Sequence, residues 1–508
     1  METRQKIQPI ETLAGILEAE KRSGKKVAMC HGVFDLMHPG HVLHFKAARQ
    51  FGDLLVITVT PDHFVNKGPG RPVFSHRLRM ETLAALESVD YVALNEWPTA
   101  VETIHKLKPD FYVKGSEYSN AASDITGKIV EEETAVKSVG GRLVFTHEET
   151  YSSSALINQY FSKLPPRADT FLREFRQKHT ARDVLEALQG LSDIRVLVVG
   201  EAIVDQYCYC TPLGKSPKET IIATKYSSEE NFAGGSLAIA NHIAGFCKQT
   251  TLVTYLGQET RYDEFIRSKL RSNIQFQPVR ADDRPTITKR RYVEPTFLTK
   301  MFEIQYLDDT PLPDYLEKAV MVELDRELAR HDLVVVADFG HGLLTDGIRD
   351  RLSNSGKFMA VNTQTNSANL GFNPATKYRR TDFVCLHEGE LKLALRAQYG
   401  DVQELAARLR SSVNAQSLMV TRGPLGSLFI QKNGAYSEAP ALSIRIVDRV
   451  GAGDTFFALT SPCVYKGYSP DITGFIGNCA GAMAVETVCN REPIDPTAFQ
   501  KFVSHLLA

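Results

Sequence analysis

Short apolar runs of strand length alternate with helical patterns along most of the chain: KVAMC, LLVITVT and YVAL early, then RVLVVG, LVVVAD, FMAVN and SLMVTRG. That alternation is the pattern of parallel α/β sheets with helical crossovers. A chain of 508 residues exceeds what one core organises, so two α/β domains are expected. The break falls where Pro165 and Pro166 stop the preceding pattern and the charged stretch SKLPPRADTFLREFRQKHTARDVLEAL leads into RVLVVG. The expected division is 1–163, a linker helix over 164–189, and 190–508. No internal repeat is evident, and the two halves do not resemble each other.

The 59 basic and 60 acidic residues leave a net charge of -1, which argues against nucleic acid or an acidic membrane as the main partner. No stretch approaches the roughly 18 apolar residues of a membrane span, and the charged first 30 residues hold no signal-peptide core. A cytoplasmic enzyme acting on small molecules is expected. The eight cysteines are scattered without a CxxC pair, so buried thiols are expected. Cys208 and Cys210 would share one strand face, yet no second Cys or His pair completes a zinc site. GKS at 214–216 ends like a phosphate-binding Walker loop, but Tyr209 stands where that loop requires Gly, and a surface turn is the better reading.

The stretch HGVFDLMHPGH sets His38 and His41 three apart around Pro39 and Gly40. Val42, Phe45, Ala48 and Arg49 suit an amphipathic helix starting near Pro39, which brings both imidazoles to a helix N-terminus, where backbone amides and the dipole favour an anion. A metal site would need a third ligand, and the H-E-x-x-H helix spaces its histidines by four. With NKGPGRPVFSHRLRM, FYVKGSEY and TYSSSALIN in order after it, this stretch resembles the H-x-G-H nucleotidyltransferases over about residues 25–160. The resemblance is strongest to the transferase part of bifunctional heptose-phosphate kinase/adenylyltransferases and weaker to glycerol-phosphate cytidylyltransferases. It implies that His38 and His41 contact the nucleotide phosphates and stabilise the transferring phosphoryl group, with Lys67 holding phosphate on the substrate side. It puts Val33, Phe34, Arg79, Ser152, Ser153 and Ser154 at the nucleotide, and Asp35 on the substrate side, where it orients the loop. Lys114 either reaches substrate or is an ordinary charge at a strand end. His31 either bonds the nucleotide or is a satisfied core histidine. Displacement at phosphorus asks for positioning and neutralisation of charge, which imidazolium, ammonium, amides and Mg²⁺ supply, and no protein nucleophile is needed.

DRVGAGDTFFA poses the same question in the second half: Gly451, Ala452 and Gly453 precede a helical run and would leave amides free around an anion, with Asp454 beside them. Alone this is a weak motif. It follows VLVVGEAIVDQY, FAGGSLAIANHIA, RPTITKRRYV, VVVADFGHG, CLHEGEL and MVTRGPLGS, and together these resemble the ribokinase (PfkB) sugar kinases over about residues 190–500. The resemblance implies that Asp205, Gly234 and Gly235 contact the sugar, and that Glu390 helps place Mg²⁺ through water. It puts Thr421 and Gly423 at the border of the nucleotide and Asn478 near the adenine. Gly451, Ala452 and Gly453 would form the anion hole, with Asp454 as catalytic base in contact with the sugar hydroxyl. Four departures surround this centre: Ala238 for a sugar-contacting Asn, His341 for a frequent Lys, VNTQ for Asp-Pro-Lys, and His387 for an Asn.

The expected architecture is a Rossmann-like nucleotidyltransferase domain followed by a ribokinase-like α/β/α sandwich with a small β lid. That order is inverted relative to the bifunctional heptose enzyme. The expected function is sugar phosphorylation by ATP and nucleotidyl transfer from ATP or CTP to a sugar 1-phosphate, a heptose-like sugar being favoured. The partners are sugar phosphates and nucleotides, and the resemblance implies a homodimer through the kinase domain. The rival readings are a CTP-dependent polyol-phosphate cytidylyltransferase and a transferase carrying a silent kinase-like module.

Overall fold

The computed structural model describes residues 3–65, 70–115, 128–146 and 164–508; Lys67, Ser152, Ser153 and Ser154 lie outside them. The chain forms two compact units, residues 1–163 with 500–508, and residues 164–499. The apolar runs picked out in the sequence are all strands.

The first unit carries β1 (Val27–Gly32), β2 (Leu54–Val59), β3 (Tyr91–Leu94), β4 (Phe111–Gly115) and β5 (Arg142–Thr146), all parallel, in the order β3-β2-β1-β4-β5. Successive side chains of a strand point to opposite faces, so β1 feeds two cores. Val27 and Met29 pack with Ile10, Leu13 and Leu17 of the helix Ile10–Arg22, whereas Ala28 and Cys30 pack with Phe45 and Ala48 of the helix Pro39–Arg49. This is the Rossmann-like arrangement, and its strand order reverses between β1 and β4. Ligands of such sheets enter the crevice at the carboxyl ends of the strands flanking that reversal.

The second unit is a ribokinase-like sandwich. Its strands are β6 (Arg195–Gly200), β7 (Ala202–Lys215), β8 (Ile222–Gly235), β9 (Gln249–Gly257), β10 (Ile274–Ala281), β11 (Thr288–Glu294), β12 (Thr299–Tyr306), β13 (Leu333–Asp338), β14 (Phe358–Thr363), β15 (Phe383–His387), β16 (Ser417–Thr421), β17 (Ser427–Gln431) and β18 (Tyr436–Ala439). Nine form one sheet in the order β10-β9-β6-β13-β14-β15-β16-β17-β18, parallel except at the β17 and β18 edge. The other four make the lid, β12-β11-β7-β8. The strand order reverses between β6 and β13, so the segments after Gly200 and Asp338 open the second crevice. GKS does not form the expected turn: Gly214 and Lys215 end β7, paired with Ala223 and Ile222 of β8, and Ser216 leads into the hairpin loop.

The segment read as one linker helix is two, Pro166–Lys178 and Ala181–Gln189. Thr180 breaks it: its side chain caps the second helix while Asp183 accepts from the Thr180 amide at 2.7 Å. Both helices belong to the second unit, where the Phe175 ring stacks on Phe475 at 4.5 Å. All eight cysteines are buried free thiols. Among the described residues no helix is long and apolar enough to cross a membrane.

Candidate functional site

In the first unit the chain leaves β1 at Gly32 and turns through Phe34 at φ 51° before Pro39 opens its helix. A Cβ at Gly32 would come within 2.9 Å of the Phe34 ring, so glycine lets that ring fold back over the strand end. The ring meets His41 edge-on at 5.5 Å, and His38 stacks on His41 at 3.8 Å between ring centroids. The pair expected from the spacing is therefore one stacked unit at a helix start. Burial lowers the pKa of His38, which favours the neutral imidazole, with one nitrogen donating and the other accepting, over the imidazolium.

Several neighbours assigned to ligands are turned inward. Arg79 is 2% exposed, and its guanidinium donates to the carbonyls of Phe74 (2.9 Å), Thr60 (2.9 Å) and Val33 and to Asp62 (2.6 Å). With those donors taken up, Arg79 clamps the loops around the crevice instead of facing a nucleotide, and Val33 contributes a carbonyl to that clamp. Asp35 is likewise buried and accepts the amides of Val73 (2.7 Å) and Phe74 (3.1 Å) beside Arg71, so it holds the 70–74 loop. Lys114 is paired with Glu132 at 2.9 Å, which supports its reading as a structural charge. His31 lies 3.0 Å from the Thr58 hydroxyl and 3.4 Å from that of Thr60, which supports the core-histidine reading. Arg79→Ala should destabilise the first unit by about 2–4 kcal/mol, because three carbonyls and a carboxylate lose a buried charged donor. Denaturant unfolding followed by a probe in that unit measures it.

In the second unit Asp454 stands in the first turn of the helix Ala452–Tyr465, buried, with no hydrogen bond to Oδ1 among the described residues. Burial first, then the charges of Asp205 and Glu390 against that of Lys289, push its pKa up to about 7. A carboxyl held near neutrality at a helix N-terminus is poised as a general base. Gly451, the N-cap, has φ 85°, and a Cβ there would meet Asn490 Oδ1 at 2.0 Å, so only glycine fits. Asp205 lies on β7, paired with Arg291, which also bonds Glu303 at 2.7 Å. A Cβ on Gly234 would stand 2.0 Å from Asp205 Oδ2, so this glycine makes room for the carboxylate, and Gly235 caps the helix Ser236–Ala244 with φ 58°.

Thr421 ends β16 and Gly423, at φ 55°, starts the turn that follows. Both donors of the buried Asn478 amide are used, on Ser427 Oγ (2.7 Å) and the Gly474 carbonyl (2.8 Å), so it ties β17 to its own helix. Glu390 accepts the amides of Thr365 (2.8 Å) and His387 (2.7 Å), one on each oxygen. Among the described residues no group of three or more His, Cys, Asp or Glu makes a metal cage. A single carboxylate with half its lone pairs taken fits Mg²⁺ that arrives on nucleotide phosphates and keeps its waters.

Two of the four departures have physical reasons. His387 still performs the N-cap role of an Asn, its Nδ1 accepting the Gly389 amide at 3.0 Å. His341 is fully buried, and burial followed by the charge of Lys289 lowers it to about 3. A lysine there would bury a second ammonium beside Lys289. Ala238, 2% exposed, offers no polar atom at that position.

Sequence reasoning passed over Lys289 and His44. Lys289 is 6% exposed on β11 in register with Asp205, and the alternation in Lys289-Arg290-Arg291 was the available signal, since residues two apart share a face. His44 extends the spacing of three from His38 and His41, and its Nδ1 lies 2.7 Å from Thr146 Oγ1.

Residues 29–159 match the family model of cytidylyltransferase-like proteins, and residues 193–497 that of pfkB family carbohydrate kinases. The chain is similar to two proteins named bifunctional protein HldE. That of Syntrophotalea carbinolica is 41% identical over 145 residues, 28% of each chain. That of Gluconobacter oxydans is 43% identical over 138 residues, 27% of each. The chain thus spans about 28% of the length of the curated relatives it matches. The expected inversion of domain order is not borne out by these similarities, which are too short to order two domains. Among solved structures, Thermotoga maritima ribokinase is 16% identical with TM-score 0.47, over 60% of this chain and 98% of that one. Escherichia coli phosphofructokinase-2 is 16% identical with TM-score 0.48, over 62% and 99%. The unit built around Gly451 and Asp454, matched over more than half of the chain, makes this protein a member of the pfkB carbohydrate kinase family, with a cytidylyltransferase-like domain at its N-terminus.

Proposed function

We propose that the chain is a bifunctional, cytoplasmic enzyme of nucleotide-activated sugar synthesis. The second unit phosphorylates a sugar or sugar phosphate with ATP. The first transfers a nucleotidyl group from ATP, with CTP as the alternative donor, to a sugar 1-phosphate and releases pyrophosphate. A heptose-like sugar is favoured. One observation carries the reading: each unit brings its reactive side chains, His38 with His41 and Asp454, to a helix N-terminus.

In the kinase step Asp454 takes the proton of the attacking sugar hydroxyl as its oxygen bonds to the γ-phosphorus and ADP leaves, while the amides of Gly451, Ala452 and Gly453 receive the charge of the transferring group. Asp205, with Gly234 and Gly235 beside it, orients the sugar; Thr421 and Gly423 border the nucleotide. Mg²⁺, when bound, neutralises phosphate charge, with Glu390 holding it through water. In the transferase step the stacked histidines hydrogen-bond the α-phosphate, and Lys67 with Ser152, Ser153 and Ser154 keep their sequence-based roles. The exposed lid residues Leu213, Ile222 and Phe302 support a homodimer through the kinase domain.

The test supplies the full chain with Mg²⁺, each common NTP and a panel of sugar and polyol 1-phosphates including heptose 1-phosphate, and reads pyrophosphate. A parallel panel of sugars with ATP reads ADP. Pyrophosphate from ATP and a heptose or hexose 1-phosphate, with ADP from the second panel, is expected. Turnover only with CTP and a polyol phosphate makes the protein a cytidylyltransferase, and pyrophosphate without ADP makes the second unit a silent module.

A further inference from the structure

His242 lies in the helix Ser236–Ala244 and is 3% exposed, far in sequence from the Gly451 turn. Its two nitrogens have different neighbours. The Ile494 amide points at Nδ1 from 3.2 Å, and a backbone N–H can only donate, so Nδ1 carries the lone pair. The proton is then on Nε2, which donates to Thr455 Oγ1 at 3.0 Å. With its oxygen accepting, the Thr455 hydroxyl gives its own proton to the Gly451 carbonyl at 2.9 Å, and the Thr455 amide donates to the same carbonyl at 2.9 Å. Every donor and acceptor in this chain has one assignment. It ends on the left-handed glycine that opens the helix bearing Asp454.

From this chain we infer that His242 is a positioning residue of the phosphoryl-transfer centre: acting through Thr455, it fixes the Gly451–Ala452 peptide plane, whose Ala452 amide lies 3.4 Å from the Arg449 carbonyl, and so the start of the turn that presents Gly451, Ala452 and Gly453 to the transferring phosphate. The inference rests on the kinase reading above. A preorganised anion hole works only while its amides stay aimed, and small misplacements are costly. Gly451, whose residue type is free to take many conformations, is where such aim is most readily lost. Burial, then the charge of Arg271, lowers the pKa of His242 to about 3, so the relay keeps one protonation state across the working range.

Two substitutions separate positioning from support of the fold. In His242→Asn the side-chain oxygen still accepts the Ile494 amide but falls short of Thr455. In His242→Gln the amide still reaches Thr455 but leaves the Ile494 amide without an acceptor. Positioning predicts that His242→Asn lowers kcat for ADP formation about tenfold with the KM for sugar unchanged, and that His242→Gln stays within about threefold of the parent. Thr455→Val should match His242→Asn, and the double variant should lose no more than either. An equal or larger loss in His242→Gln, or additive losses, overturns the relay. Two readouts need no turnover: the ¹⁵N shifts of the His242 ring, expected to show bare Nδ1 and protonated Nε2, and titration with Mg·ATP, expected to weaken in His242→Asn. A parent that forms no ADP overturns the kinase reading. The relay then stands or falls on these two, and a proton on Nδ1, or unchanged Mg·ATP affinity in His242→Asn, overturns it.

Discussion

Asp454→Asn should reduce ADP formation by about 10²–10⁴-fold, the contribution of a positioned general base, while pyrophosphate release from the first unit stays unchanged. The same substitution should stabilise the second unit. A buried carboxyl whose pKa rises from 3.8 to about 7 binds a proton more readily folded than unfolded, so its contribution to stability falls as pH rises between those values. Above about pH 7 the full cost of burying the charge is present, and below about pH 4 none of it is. The gain from Asn should therefore reach about 2–4 kcal/mol at pH 8 and vanish at pH 4. Lys289, which favours the charged form, keeps the Asp454 pKa from rising further. Unfolding of parent and variant at the two pH values checks the sign: equal gains at both would mean that Asp454 is not held near neutrality. The parent's ADP-forming rate should rise with pH through the same region as the base ionises.

His38→Ala and His41→Ala should each lower pyrophosphate release by about 10²–10³-fold, the range seen when one donor to a developing oxyanion is lost. The double variant should lose little more than the worse single one, because rings stacked at 3.8 Å hold each other in place and act as a unit. Steady-state pyrophosphate assays with saturating nucleotide check this. Independent, multiplying losses would mean that the two imidazoles serve different steps. ADP formation by the second unit should be untouched in all three variants.

The strands were legible because apolar runs report burial on both faces, and that is a local property of a few consecutive residues. The His38 and His41 pair was legible for the same reason: three residues apart on a helix is a distance in space as well as in sequence. The directions of Arg79 and Asp35 were not legible. Both belong to the crevice, but whether a charged side chain faces ligand or fold depends on which carbonyls and amides the neighbouring loops present. The 70–74 loop and the turn after β2 supply them here. Lys289 was overlooked because its environment comes from β7, a strand it joins only through the lid's order.

The amino-acid pattern alone determined the α/β class, the existence of two α/β domains, the contiguous Gly451–Asp454 turn and the helix that starts at Pro39. These are set by spacing over one strand or one helical turn. The tertiary structure alone decided which charges meet: Arg291 reaches Asp205 across 86 residues and His242 reaches Thr455 across 213. Such partners follow from strand order and crossover, and a buried charge acquires its protonation state from those neighbours rather than from the residues beside it in the chain.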